Sequence, residues 1–216
     1  MGMFSKLFKR KKKPIIKDSK CQELLELKNY MDMILSANRY IARSEYDEIL
    51  FEKEQTVEHF ISLIDDDLIE AFCTKNDISL GLVADTLLQY DDFDEHIDLH
   101  NETYIEHMMQ EEEEYLDSIL YELDPKIILD EEQRRVILTD EDYCLVVASA
   151  GTGKTTTIAA KIKYLVEKKK INPSQILVVS FTNKAVEELR EKINETLLIN
   201  CRRTLVTLVV SEATFS

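Results

Sequence analysis

Residues 145–156 read LVVASAGTGKTT, and this stretch decides how the second half of the chain is interpreted. The apolar, β-branched run at 145–148 predicts a strand, and the stretch from Thr156 to about Lys168 suits a helix. A strand, a loop of small residues and a helix, with the sequence GKT at the junction, make up the P-loop pattern. The pattern predicts a loop that surrounds a phosphate group.

Each residue type in this loop has a chemical reason. Gly151 and Gly153 let the backbone turn so that successive N–H groups face one anion, and the helix N-terminus adds partial positive charge there. Lys154 brings a positive charge to the β- and γ-phosphates, and Thr155 offers a hydroxyl to Mg²⁺. These two are the predicted catalytic residues, with Thr155 as the magnesium ligand. The residues predicted to hold the nucleotide here are Ala148, Ser149, Ala150, Gly151, Thr152, Gly153, Lys154, Thr155 and Thr156.

A second strand and a further helix are predicted downstream of the loop. Residues 176–181 form a continuous apolar run, which is typical of a strand that is buried on both faces. With the strand at 145–148 and the helix between them, this run predicts a right-handed βαβ unit. The next helix is predicted from Thr182 or Asn183 to Asn194. Its apolar side consists of Ala185, Val186, Leu189 and Ile193.

Charge is distributed unevenly along the chain. The 216 residues carry a net charge of −15, but residues 1–20 have a charge of +7, residues 21–142 of −27 and residues 143–216 of +5. The middle therefore repels phosphate groups, whereas both ends attract them. For the basic tail, residues 1–20, three interpretations stay open: a solvated flexible tail, a contact with nucleic acid, and a contact with anionic lipid.

The composition excludes several classes of protein. A hydrophobic fraction of 44% is enough for a core, and only four glycines and three prolines argue against an all-β fold with many turns. No run of about 18 apolar residues occurs, so no transmembrane segment is predicted. The four cysteines form no C-x-x-C pair, which indicates reduced thiols and predicts a cytoplasmic location.

The acidic segment 21–123 has the apolar period of helices and predicts a bundle or a coiled hairpin. Asn76 and Asp77 predict a break and an N-cap, and Asp124-Pro125 predicts the end of the helical part. His96 and His100 share a helical face, but a solvated face is favoured over a metal site. The first predicted apolar face consists of Leu24, Leu27, Met31, Ile34, Asn38 and Ile41, and the second of Tyr46, Leu50, Val57, Phe60, Ile64 and Leu68.

Three short motifs resemble those of a known family. Residues 129–134, LDEEQR, resemble the Q motif of superfamily 1 DNA helicases of the UvrD/Rep type. Residues 148–155 resemble their motif I, and residues 180–185, SFTNKA, resemble their motif Ia. The order and spacing agree from Leu129 to about Asn194, and the stretch before the Q motif is similar to the helical lead-in of DNA helicase IV-like members.

The resemblance implies ATP and Mg²⁺ as cofactors and single-stranded DNA as a partner. Gln133 would bind the adenine edge, and Phe181, Thr182, Asn183 and Lys184 would contact the DNA. The implied fold is α plus α/β, with an acidic helical N-terminal domain followed by an incomplete RecA-like P-loop domain with parallel strands. The implied divisions are a basic tail (1–20), the acidic domain (21–123), the P-loop domain (124–200) and an atypical C-terminal tail (201–216).

The sequence also lacks an expected acid. The family has a hydrophobic strand ending in Asp-Glu after motif Ia, whereas this sequence has no Asp after Asp142. The chain is therefore expected to be the N-terminal portion of an ATP-dependent DNA helicase, truncated and inactive in unwinding alone. The alternative is a non-enzymatic interaction protein. In that case the acidic helical domain binds a protein partner, and the P-loop is vestigial or senses nucleotide.

Overall fold

A computed structural model describes residues 18–149, 151–180, 183–197 and 206–209. Contacts divide the chain into two compact units, one up to His100 and one from Asn101 onwards. The predicted basic tail up to residue 17, together with Ala150, Phe181 and Thr182, lies outside the described residues. Among the described residues, no helix has both the length and the apolar character that a membrane crossing requires.

The first unit is helical, as the sequence predicts. Its elements are α1 (Ser19–Leu35), α2 (Ser44–Asp65), α3 (Ile69–Asn76), α4 (Leu80–Asp91) and the first part of α5 (Phe93–Glu111). The helices bury two apolar clusters. One consists of Leu27, Met31, Ile34, Ile41, Tyr46, Val57, Phe93 and Ile97, and the other of Cys21, Leu24, Phe60, Ile69, Cys73 and Val83.

The helix ends of this unit differ in two places from the prediction. Asp77 does not cap the next helix but ends α3 in the left-handed conformation, with φ of 54°. The N-cap of α4 is Ser79, whose hydroxyl accepts a hydrogen bond from the N–H of Leu82. Asp tolerates the left-handed region and Ser is a good N-cap, so neighbouring polar residues share the two tasks.

The first predicted apolar face is not carried by one helix. Helix α1 ends at Leu35, and the hydroxyl of Ser36 donates to the carbonyl of Met33 at 2.7 Å. Such local side-chain hydrogen bonds compete with helix continuation. Ile41 is nevertheless fully buried, because the loop after α1 returns it to the core.

His96 and His100 lie on α5. Nε2 of His100 lies 2.9 Å from the carbonyl oxygen of Arg39, within the same unit. In the ranges that the structure describes, no group of His, Cys, Asp and Glu side chains has an arrangement suited to a metal ion.

The second unit contains the P-loop sequence. Its elements are the rest of α5, α6 (Glu113–Ser118), α7 (Glu131–Leu138), α8 (Lys154–Glu167), a 3₁₀ turn (Pro173–Gln175), β1 (Leu177–Ser180), α9 (Asn183–Leu197) and β2 (Val206–Val209). Strands β1 and β2 pair in parallel, with Leu177 opposite Val206 and Ser180 opposite Val209. The described residues of the chain as a whole are mostly helical.

The strand predicted at 145–148 does not form. These residues have no strand assignment, and Leu145 and Val147 are each 89% exposed. A strand requires hydrogen bonds to a neighbouring strand, and the described partner of β1 is β2 rather than this run. The strand predicted from the apolar pattern alone is therefore wrong, and so is the βαβ unit that was predicted to contain it.

Strand β1 is also less buried than predicted. Leu177 is 58% and Val179 50% exposed, whereas Val178 packs against the cluster between α8 and α9. Alternate side chains of a strand point to opposite faces, and the helices cover one of them. That cluster consists of Ala159, Ile162, Leu189 and Ile193, and Val186 of the predicted α9 side is buried as well.

A polar cluster joins the segment before the Q motif to α8. The side chain of Lys163 is 6% exposed, and its ammonium lies 2.8 Å from Oε2 of Glu122. The hydroxyl of Tyr115 donates to Glu167 at 2.9 Å, and the ammonium of Lys168 lies 4.4 Å from the centre of the Tyr115 ring. Burial, and next the hydrogen bond to Glu167, raise the pKa of Tyr115. These contacts make the segment before residue 129 part of the same unit as the P-loop helix.

We expect Glu122→Gln to lower the free energy of unfolding of this unit by about 2 kcal/mol, because the buried ammonium of Lys163 would lose its nearer carboxylate partner and keep only Glu167 at 4.0 Å. The loss is smaller than for a fully buried pair, since the Glu122 side chain is 35% exposed. Chemical denaturation followed by circular dichroism measures the difference. The matched control is Lys163→Met, which removes the charge together with its need for a partner and should change stability by less than about 1 kcal/mol.

The same pair predicts a pH dependence. The hydrogen bond from Lys163 lowers the pKa of the Glu122 carboxyl below its ordinary value of 4.5. A pKa that is lower in the folded state gives stability that is present above the ordinary value and is lost as the pH falls. The difference in free energy of unfolding between the native chain and Glu122→Gln should therefore become smaller as the pH falls. An equal difference at pH 7 and at pH 3 would contradict this role of the carboxylate.

Candidate nucleotide-binding site

Both glycines of the loop before α8 have a backbone conformation that other residues rarely adopt. Gly151 and Gly153 both have φ of +81°, in the left-handed region that glycine adopts without strain. Gly153 is the N-cap of α8, and its carbonyl accepts the first helical hydrogen bond, from the N–H of Thr157 at 2.8 Å. The two glycines therefore lead the chain directly into a helix N-terminus, where N–H groups lack intrahelical acceptors.

The side chain of Lys154 lies across the loop from which it starts. Its ammonium donates to the carbonyl oxygens of Ala148 at 2.8 Å and Ser149 at 2.5 Å. The hydroxyl of Thr152 donates to the same Ser149 carbonyl at 2.8 Å. The loop is thus closed on itself by side chains of its own, and the positive charge lies within it.

The two threonines after Lys154 lie in the first turn of α8 and are half-buried. Thr155 is the predicted magnesium ligand. The hydroxyl of Thr156 lies 3.4 Å from the ammonium of Lys192 on α9, so a second lysine reaches the N-terminal end of α8. Lys192 could not be recognised from the sequence, because its position depends on how α9 packs against α8.

Gln133 lies against the loop, although it is far from it in sequence. Asp130 and Gln133 form a capping box at the start of α7: the carboxylate of Asp130 accepts from the N–H of Gln133 at 2.8 Å, and the side-chain oxygen of Gln133 accepts from the N–H of Asp130 at 3.0 Å. Nε2 of Gln133 donates to the carbonyl of Thr152 at 3.2 Å. A Cβ at Gly153 would lie 2.9 Å from that nitrogen. The structure thus brings Gln133, the residue predicted to bind the adenine edge, into contact with the loop.

The far end of α7 is held by a lysine that the sequence reasoning missed. The ammonium of Lys161, on α8, donates to the carbonyl oxygens of Ile137 at 2.7 Å and Thr139 at 2.5 Å. Burial lowers the pKa of Lys161 to about 8. A lysine two helical turns after Lys154 is a weak signal for such a contact, because the position of α7 was not known.

Two arginines connect α7 to the segment before it. Arg134 contacts Asp117 at 2.5 Å, and Arg135 contacts Glu102 at 2.6 Å. Nε of Arg134 also donates to the carbonyl of Leu129 at 3.0 Å. These are interactions of the partly exposed type, which stabilise little individually but fix the direction of α7 as a group.

The predicted DNA-contacting residues are only partly described. Asn183 and Lys184 begin α9 and are exposed. The Lys184 side chain is 86% exposed, and its ammonium lies 3.9 Å from Glu188. Phe181 and Thr182 lie outside the described residues.

Comparisons with known proteins agree with the position of these motifs. Residues 129–214 match the family model of the UvrD/REP helicase N-terminal domain. The match continues to residue 214, although the motifs in the sequence indicated a resemblance only as far as about Asn194.

Several curated proteins are similar to part of this chain. A probable DNA helicase II homolog of Mycoplasma capricolum is 44% identical over 66 residues, which are 31% of this chain and 9% of that protein. The ATP-dependent DNA helicase UvrD1 of Mycobacterium leprae is 43% identical over 65 residues, 30% of this chain and 8% of that protein. DNA helicase IV of Escherichia coli is 36% identical over 98 residues, 45% of this chain and 14% of that protein.

The chain spans about a tenth of the length of these three relatives. The similarity to DNA helicase IV covers more residues of this chain than the similarity to the other two. The part of the chain that carries the P-loop sequence, residues 129–214, is similar to the UvrD/REP helicase N-terminal domain family.

Proposed function

We propose that this chain binds Mg-ATP at the loop before α8 and single-stranded DNA beside the start of α9, as part of a UvrD-like DNA helicase. One observation supports it most strongly. Two glycines with positive φ lead into a helix N-terminus, and both Lys154 and the amide of Gln133 contact that loop. The arrangement joins a site for phosphate to a site for a base.

The residues of the loop suit a triphosphate. The backbone N–H groups at the start of α8 and the helix dipole favour an anion, and Lys154 would exchange its two carbonyl acceptors for phosphate oxygens. Thr155, one residue into the helix, would hold Mg²⁺ through its hydroxyl. Ala148, Ser149, Ala150, Thr152 and Thr156 would complete the loop around the phosphates.

Gln133 is proposed to select adenine. Its amide has two N–H donors and an oxygen with two acceptor sites, and the contacts to Asp130 and Thr152 use one of each. One donor and one acceptor remain, which matches the N6 donor and N7 acceptor of adenine. Guanine presents two acceptors at the same edge, so the amide would satisfy only one of them.

DNA is proposed to bind at the N-terminal end of α9. Lys184 is exposed there and would contact a phosphate, while Asn183 would hydrogen-bond the backbone. Phe181 is proposed to stack on a base, as aromatic side chains do in single-strand sites. The relative from M. leprae carries the name ATP-dependent DNA helicase, and the activity is extended to this chain as part of the proposal.

Titration of the purified chain with a fluorescent ATP analogue, with and without Mg²⁺, tests the proposal. Saturable binding that excess ATP displaces and that EDTA weakens is the expected result. A labelled oligonucleotide, titrated at several salt concentrations, tests DNA binding separately. Absence of saturable nucleotide binding would contradict the proposal and favour a protein-interaction role for the chain.

A further inference from the structure

The position of Gln133 depends on how α7 is held, and α7 is short. Its eight residues span about 12 Å, so a displacement of one end moves the other. At the N-terminal end, Gln133 reaches the loop through a side-chain hydrogen bond to Thr152. At the C-terminal end, the ammonium of Lys161 binds two backbone carbonyls, those of Ile137 and Thr139.

We propose that Lys161 is a positioning residue for base selectivity: it fixes the C-terminal end of α7 on α8 and thereby holds the amide of Gln133 at the loop. This inference rests on the proposed function. The hydrogen bonds of Lys161 are to Ile137 and Thr139, at the end of α7 opposite to Gln133, and Lys161 acts on Gln133 through the helix between them.

The contact has the features of a specific anchor. The last carbonyls of a helix have no intrahelical donors, and a positive charge at that end also interacts favourably with the helix dipole. Lys161 supplies both the missing hydrogen-bond donor and the positive charge. It lies on α8, whose first residue is Lys154 of the loop. Helix α8 carries both Lys154 and Lys161, which anchors α7. One rigid helix therefore positions the proposed phosphate-binding part of the site and the proposed base-binding part.

The neighbouring anchor points support the same geometry. Ile137 and Leu138 are 0% and 2% exposed, so the C-terminal end of α7 is packed as well as hydrogen-bonded. The apolar packing would keep the helix formed without Lys161. The directional contacts to the two carbonyls would be lost, so the C-terminal end of α7 would shift relative to α8, while the ion pairs of Arg134 and Arg135 would still connect α7 to the segment before it.

The test compares ATP with GTP, each as a fluorescent analogue. In the native chain ATP should bind at least about 10-fold more tightly, and Gln133→Ala should remove that preference. Lys161→Met should reduce the ratio about 3- to 10-fold, the range of one lost hydrogen bond, with GTP affinity unchanged within about twofold. Lys161→Arg, which keeps a charged donor, should restore most of the ratio.

The matched control is Lys163→Met. Lys163 is a buried lysine on the same helix, but its partners are the side chains of Glu122 and Glu167 rather than the backbone of α7. A general loss of folded protein would weaken ATP and GTP binding equally and leave the ratio intact. Only displacement of Gln133 changes the ratio, so this control should keep the native value.

A second readout needs no nucleotide. In the native chain, NMR signals of the Gln133 side-chain amide should show protection from solvent exchange through its bond to Thr152. Lys161→Met should reduce that protection, and Lys163→Met should not. This readout decides the case if one variant folds poorly, because it is made on the folded fraction.

The outcomes separate this inference from the proposed function. If Gln133→Ala lowers the ratio and Lys161→Met does not, the positioning role is wrong while the base contact stands. If Gln133→Ala has no effect on the ratio, the base contact itself is wrong and the positioning role with it. A native chain that binds neither nucleotide would overturn both.

Discussion

Lys154→Ala is expected to weaken Mg-ATP binding by about 100-fold or more, which corresponds to about 3 kcal/mol. In the structure the ammonium lies inside the loop, held by the carbonyls of Ala148 and Ser149. A triphosphate offers charged acceptors in place of these neutral ones, and charge-assisted hydrogen bonds are roughly twice as strong. Alanine removes the charge and leaves the backbone donors of the loop and helix.

Two measurements check this result. The first is the titration with a fluorescent ATP analogue. The second is thermal unfolding with saturating nucleotide, because a ligand present at about 100 times its Kd stabilises the folded state by about 2.7 kcal/mol. The native chain should show a rise in Tm with Mg-ATP, and Lys154→Ala should show a much smaller rise at the same concentration, because a ligand present at about its Kd stabilises by only about 0.4 kcal/mol.

Lys184→Ala provides the matched control. It also removes one exposed lysine, but from the start of α9, where DNA contact is proposed. This variant should bind ATP as the native chain does and bind single-stranded DNA more weakly, with a shallower dependence on salt. An ATP affinity of Lys154→Ala within about threefold of the native value would contradict the role of the lysine in triphosphate binding.

Gly153→Ala is expected to lower the free energy of unfolding by about 2–3 kcal/mol and to weaken ATP binding about tenfold. Two effects add. Alanine at φ of +81° is strained by about 1–2 kcal/mol. In addition, its Cβ would lie 2.9 Å from Nε2 of Gln133, so that side chain must move away from the carbonyl of Thr152.

Gly151→Ala separates the two effects. Gly151 has the same φ of +81°, but a Cβ there would meet no described atom within 4 Å apart from those of its two chain neighbours. The variant should therefore show the strain alone, about 1–2 kcal/mol, with Gln133 undisturbed. Chemical denaturation of both variants measures the difference directly.

A double variant completes the cycle. In a Gln133→Ala background the side chain that the new Cβ would approach is absent. Gly153→Ala should then lower the free energy of unfolding no more than Gly151→Ala does. If Gly153→Ala is equally harmful in both backgrounds, the close approach of the glycine and the glutamine does not determine the cost. The cycle therefore tests the geometry that places Gln133 at the loop.

Local sequence patterns predicted the parts of this structure that depend on near neighbours. The helical character of residues 21–123 and the helix after the GKT sequence follow from apolar period and composition, and the helices are present. The buried positions Val186, Leu189 and Ile193 of α9 were predicted by the same rule and are confirmed. Each of these features can be predicted from the sequence of a single helix and the apolar side of that helix.

Features that depend on distant residues were not predictable in the same way. A strand forms only when it is hydrogen-bonded to a neighbouring strand. The apolar pattern at 145–148 predicts a strand, but these residues are not paired with a strand in the part of the chain that the structure describes. The contact of Gln133 with Thr152 spans 19 residues, and that of Lys161 with Ile137 spans 24. Motif resemblance named Gln133 as a site residue, but only the packing of α7 on α8 revealed Lys161.

The capping box of Gln133 has a consequence for the entropy of ligand recognition. A free glutamine side chain samples many rotamers, and immobilising one on binding costs about 0.5–1.5 kcal/mol. Here the helix start and the loop have already restricted the torsion angles during folding, and they distinguish the amide oxygen from the nitrogen. An incoming base would meet a preorganised amide, so that most of this ordering cost is absent from the binding step.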